Sequence, residues 1–161
     1  MASASQTRPP HVIIPDVRGR VIAIVFVVAF AAAAAVVATA ETTANGLPSY
    51  TNGYQKWPKI NRKPITTDRL GAHSGVKNVY ASKPKAGAKY PNGTVVVKTI
   101  VKPGTKYVGQ FAVMRKLNGR WRFVEYTRSS AASRYSVLAQ GQLCVSCHVM
   151  AKTNDYVFTK R

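Results

Sequence analysis

Near the carboxy end of the chain two thiols and an imidazole stand in the order Cys144-Val145-Ser146-Cys147-His148. This is the C-x-x-C-H spacing, in which each sulfur adds to one vinyl group of a porphyrin and the adjacent histidine is brought beneath the iron. Two other chemistries use paired cysteines. A redox dithiol calls for a thioredoxin-like βαβ setting, and a zinc site calls for four ligands, where this chain offers two cysteines and scattered histidines. The sequence supplies neither setting. The reading is therefore one covalent haem c, attached through Cys144 and Cys147, with His148 as its metal ligand.

The position of the motif carries a second message. Met150 lies too close to His148 to reach the opposite face of the ring, so a distal ligand comes from upstream or is absent. A filled position points to electron transfer, and an open one to binding or chemistry of a small molecule. His73 is a candidate second axial ligand, weighed against an ordinary loop histidine near Asp68. Tyr54, Trp57, Trp121 and Tyr126 are candidates for the pocket lining and equally ordinary core aromatics.

The elements that must position these residues read mainly as strands. Val95 to Val101 is a β-branched run bounded by Asn92-Gly93 and Pro103-Gly104. Phe111–Lys116 and Trp121–Tyr126 form two further strands around Asn118-Gly119, a dipeptide that accepts positive φ cheaply and so makes a hairpin turn. Val76–Ala81 is a fourth strand. A helix over about Ser130 to Leu143 is expected to lead into the haem motif, and a short helix around Tyr54 to Ile60 to open the domain. The expected organisation is a cytoplasmic segment 1–20, a membrane helix or signal peptide 21–40, a linker and entry helix 41–64, and a haem domain 65–161.

Val21 to Ala40 runs for twenty residues without a charge, long enough as a helix to cross about 30 Å of hydrocarbon. Arg8, Arg18 and Arg20 precede it and hold the amino end in the cytoplasm, which sends the rest across. Ala38-Thr39-Ala40 is a cleavage pattern of the A-x-A kind, so export with removal is the other reading, and a retained anchor is the expectation. The chain carries 24 Lys and Arg against 5 Asp and Glu, a formal net charge of +19. A field of that sign attracts an acidic partner or an anionic lipid surface. The bases are spread along the chain and no nucleic-acid motif accompanies them, so nucleic acid is not an expected partner.

A carboxy-terminal C-x-x-C-H after a set of strands resembles the cytochrome P-460 family and its relative, the β-type cytochrome c prime. The stretches that carry the likeness are Val76-Lys77-Asn78-Val79-Tyr80, Asn92-Gly93-Thr94-Val95-Val96-Val97-Lys98, and Cys144 to His148 followed by Asp155-Tyr156-Val157-Phe158. The resemblance implies a lysine cross-linked to the porphyrin edge, which here is Lys98. From alternation alone, Lys98 shares a strand face with Val96 and Ile100, so that face is either solvated or an apolar pocket entered by a lysine. Hydroxylamine-oxidising members carry a distal carboxylate, and alignment sets Phe111 at that position, where it resembles the apolar cap of gas-binding relatives. Lys77 falls where the family often has a distal arginine.

The expected fold is α+β, a mainly antiparallel β-sheet with flanking helices around one covalent haem, plus one N-terminal transmembrane helix. The expected function is a haem-bearing electron-transfer subunit of a larger membrane complex with an acidic docking surface, tethered in the bilayer with its domain on the periplasmic or extracytoplasmic side. The alternative is a haem enzyme or gas-binding protein that takes a diatomic or small nitrogenous ligand, such as nitrogen oxides or hydroxylamine.

Overall fold

In the computed structural model the described residues are 41–67 and 70–159. Five strands, β1 (Val76–Ala81), β2 (Val95–Val101), β3 (Val108–Leu117), β4 (Arg120–Thr127) and β5 (Ser136–Gln140), form one antiparallel sheet in the order β1-β2-β3-β4-β5. Each strand pairs with its neighbour in sequence, so the connections are short hairpins and loops. The tightest is the predicted one: Asn118 and Gly119 both take positive φ, at 49° and 75°, and bring Leu117 opposite Arg120. The membrane helix and the cytoplasmic segment expected over 1–40 lie outside the described residues. Among the described residues no helix is long and apolar enough to cross a membrane.

Alternation divides the sheet into two apolar faces. One face carries Val79, Ala81, Val96, Met114, Trp121 and Phe123, packed with Ile60, Tyr90 and Val157. The other carries Val95, Val97, Phe111, Val113 and Tyr126, covered by Leu47 and Tyr135. Both faces are covered, so β2 reads as a continuous apolar run rather than a clean alternation. Residues 41–65 belong to this packing. Hydrogen bonds from Ile60 N to Val79 O, from Ala81 N to Pro58 O, and in both directions between Ile65 and Lys77 lay the segment along the free edge of β1. That edge needs backbone partners, which an entry helix over 54–60 would not supply; only a 3-10 turn, Tyr54–Lys56, forms there.

The segment before the haem motif is a strand where the sequence suggests a helix. Residues 136–140 pair with β4, and the helix begins only at Gln142. Tyr135 holds the preceding chain down, donating its backbone N–H to Asn45 O and its hydroxyl to Val108 O at 2.7 Å. Once it is anchored there, the outer edge of β4 offers a ladder that a lone helix cannot match. Gly141, at φ 66°, then makes the turn into helix α1 (Gln142–His148). A 3-10 stretch, Val149–Asn154, follows and carries the chain back beneath the sheet.

Candidate functional site

Helix α1 is two turns long and positions the motif by its periodicity. Cys144, Cys147 and His148 stand three and four residues apart, so they share one face. All three line a single cavity of about 700 Å³ together with Lys77, Val79, Val96, Lys98, Met114, Phe123, Glu125 and Phe158. That volume lies within the range of about 300–1,000 Å³ expected of cofactor pockets. Its walls are mostly aliphatic and aromatic.

The imidazole of His148 is held on three sides. Phe123 lies 4.8 Å away, centroid to centroid, and Phe158 5.3 Å away. Nδ1 is 2.7 Å from the backbone carbonyl of Tyr156. A carbonyl oxygen only accepts, so Nδ1 carries the proton and donates, and Nε2 keeps its lone pair. Burial pushes the His148 pKa down to about 4 against the opposing Tyr156 carbonyl, with the charge of Lys98 and then His73 lowering it further. A neutral ring with a free Nε2 is the form that ligates iron. Burial also raises the Cys144 thiol, with the Glu125 charge as the next cause.

The carbonyl that receives this hydrogen bond sits in an unusual turn. Asp155 and Tyr156 both adopt left-handed backbone, with φ 54° and 63°. Such residues cost about 1–3 kcal/mol each and persist where the surroundings hold them. Asp155 is so held: it accepts from Lys116 Nζ at 2.6 Å, from the Tyr90 N–H at 2.8 Å and from Trp121 Nε1 at 3.2 Å. Burial pushes its carboxyl up, but these donors and the Lys116 charge outweigh that and keep it below the ordinary carboxylate value.

Strand register builds the wall opposite α1. Val79 faces Lys98, Lys98 faces Ala112, Ala112 faces Glu125 and Glu125 faces Ala139 across four adjacent pairs of strands. All five residues line the cavity. Lys98 and Glu125 are thus two strands apart, roughly 10 Å between backbones, with only the methyl group of Ala112 between them. The ladder between β4 and β5 shifts register at Glu125, a bulge of the kind that re-aims a side chain beside a site. Glu125 is 8% exposed, and its Oε1 is 3.1 Å from His73 Nδ1. An ionised carboxylate only accepts, which makes His73 the donor.

The remaining sequence candidates are placed as follows. Lys77 is 4% exposed at the cavity wall, its Nζ donating to His73 O at 2.7 Å and Gly75 O at 3.0 Å. Lys98 is half-buried on the cavity face beside Val96, the second of the two alternatives its alternation leaves. Phe111 does not cap the cavity. It is 1% exposed on the opposite face, 5.0 Å from the Tyr54 ring and 5.9 Å from Tyr135, because Thr99, its cross-strand partner, points away from the side of Lys98. Tyr54, Trp57 and Tyr126 pack with it there, and Trp121 serves Asp155. A carboxylate that the sequence reading does not single out, Glu125, also lines the cavity; its alternation with Phe123 on β4 marks it as sharing that residue's face.

A covered antiparallel sheet, with a neutral, oriented histidine and two cysteines on one helix face against an apolar cavity, defines a c-type cytochrome with a single haem. The family model described as Cytochrome P460 matches residues 51–159. The chain belongs to the cytochrome P460 family, and its cofactor is a covalently attached haem c. Comparison with curated proteins and with solved structures gives no match.

Proposed function

We propose that this protein is a haem enzyme acting on a small nitrogenous substrate of the hydroxylamine or nitrogen-oxide class. The observation that carries the reading is Glu125: a carboxylate removed from solvent, on the wall of the same apolar cavity as Cys144, Cys147 and His148. Removing a proton from a substrate N–H or O–H calls for such an acceptor beside the haem, whereas electron transfer by itself does not. Family membership favours the same reading. When bound, the haem supplies an iron that takes the ligand nitrogen and exchanges electrons with an external acceptor.

The chain's own residues supply the rest. Cys144 and Cys147 would hold the porphyrin through thioethers, and His148 would ligate the metal through Nε2. Glu125 takes a proton from the N–H or O–H of the substrate, a role that asks for a carboxylate within hydrogen-bond reach. His73, one-fifth exposed, holds Glu125 and gives that proton a way to solvent. The aliphatic lining of Val79, Val96 and Met114 keeps bulk water from competing. Lys98 would meet the porphyrin edge, as the family resemblance implies; the support is its place on the cavity wall. The apolar run 21–40 delivers the domain out of the cytoplasm, and that domain, with 21 Lys and Arg against 4 Asp and Glu after Ala40, favours an acidic electron acceptor.

The test is hydroxylamine-dependent reduction of a dye acceptor by purified holoprotein, followed alongside the visible spectrum. Turnover that scales with holoprotein is expected. Reduction of the haem by a chemical reductant, with neither turnover nor any spectral change on adding hydroxylamine or nitric oxide, refutes the proposal.

A further inference from the structure

We propose that the buried Lys116–Asp155 pair is a positioning device for the haem ligand: it fixes how strongly His148 donates from Nδ1 and, through that bond, biases the reduction potential of the iron. The inference stands on ligation by His148 and not on the reading of Glu125.

Lys116, near the end of β3, and Asp155, in the turn after Val149–Asn154, are both almost fully buried. A buried ion pair loses in desolvation much of what it gains in attraction, and an apolar pair of similar volume stabilises a fold about as well. Stability alone therefore does not account for it. What the pair does is local. Donors from three separate places, Lys116 on β3, Trp121 on β4 and the Tyr90 amide ahead of β2, converge on one carboxylate. They hold the chain through two consecutive left-handed residues, of which Tyr156 is bulky and pays most for that conformation. This reversal turns the Tyr156 carbonyl back onto His148 Nδ1 at 2.7 Å, while Tyr156 N–H bonds to Ala151 O and Val157 N–H to Asn154 O.

A short, well-aimed acceptor on Nδ1 makes the imidazole a stronger donor to its metal and favours the oxidised iron. Lys116 and Asp155 touch neither the ring nor, by their side chains, the cavity wall. They act through the backbone of Tyr156, as positioning residues.

The experiment compares wild-type holoprotein with the double variant Lys116→Met, Asp155→Asn, which removes both charges and leaves one acceptor for Tyr90 or Trp121. Three quantities are read without substrate: the ferrous iron–histidine stretching frequency by resonance Raman, the reduction potential, and native-state hydrogen exchange at Tyr156. The expected result is haem still attached through both cysteines, a lower stretching frequency, a higher potential and faster exchange at Tyr156. An unchanged frequency and potential in a variant that keeps its haem overturns the proposal. Trp121→Phe guards against a double variant that does not fold, because it withdraws a single donor while keeping an aromatic ring. It is expected to move frequency and potential the same way by a smaller step, and no movement there also overturns the proposal.

Discussion

Replacing Glu125 by Gln removes the proton acceptor from the cavity and almost nothing else. The side chain keeps its length, and its amide oxygen still accepts from His73 Nδ1, now 3.1 Å from Oε1. The loss of charge leaves His73 with a neutral partner. The neutral amide keeps that contact, so the fold is expected to lose little stability. Catalysis is expected to respond much more strongly. A positioned general base contributes roughly 10²–10⁴-fold, and at about 1.4 kcal/mol per tenfold this corresponds to roughly 3–6 kcal/mol of barrier. Steady-state hydroxylamine-dependent dye reduction measures the rate, and thermal unfolding measured on the same preparation separates damage to the fold from damage to chemistry. Affinity for nitric oxide, which brings no proton to remove, serves as the control and is expected to change little. A Glu125→Gln protein that turns over at the wild-type rate, folded and with haem attached, refutes the role given to this carboxylate.

Phe111→Ala is expected to cost about 3–5 kcal/mol, the range for emptying a buried aromatic site, while leaving the haem spectrum unchanged; a marked spectral shift would return Phe111 to the haem cavity. Acid should weaken the domain through Asp155. Its folded pKa is depressed, so its stabilisation is complete above the unfolded carboxylate value near 4 and is lost as the pH falls through the lower folded value. Unfolding temperatures followed from pH 7 to pH 3 should fall, and should fall less in the Lys116→Met, Asp155→Asn variant, where no such carboxylate remains. Proteolysis of holoprotein should yield a haem-bound peptide that includes Lys98 as well as Cys144 to His148, and Lys98→Arg should release that second peptide; clean separation of Lys98 from the haem in the wild-type digest shows that no cross-link forms.

Chemistry carried by adjacent residues was legible from the sequence. Cys144, Cys147 and His148 are fixed relative to one another by chain connectivity and one helical turn, and the β-branched run at 95–101 and the Asn118-Gly119 turn state their own conformations. Relations across strands were not legible in the same way. Whether Lys98 enters the cavity depends on which of two buried faces meets helix α1, a choice alternation leaves open because both faces of β2 are apolar. The same choice moved Phe111 out of the site and brought Glu125 in, since Lys98, Ala112 and Glu125 share a register row that exists only once β2, β3 and β4 are paired. Segment 136–140 reads as helix in isolation and becomes a strand because the edge of β4 and the anchor at Tyr135 offer its backbone partners that no local pattern encodes. The lone pair on His148 Nε2 likewise depends on the Tyr156 carbonyl eight residues away, next to Asp155, which Lys116 bonds from the middle strand of the sheet. Sequence determined which cofactor this chain takes, and tertiary structure decided what surrounds it, because the groups that tune a haem meet only across strands.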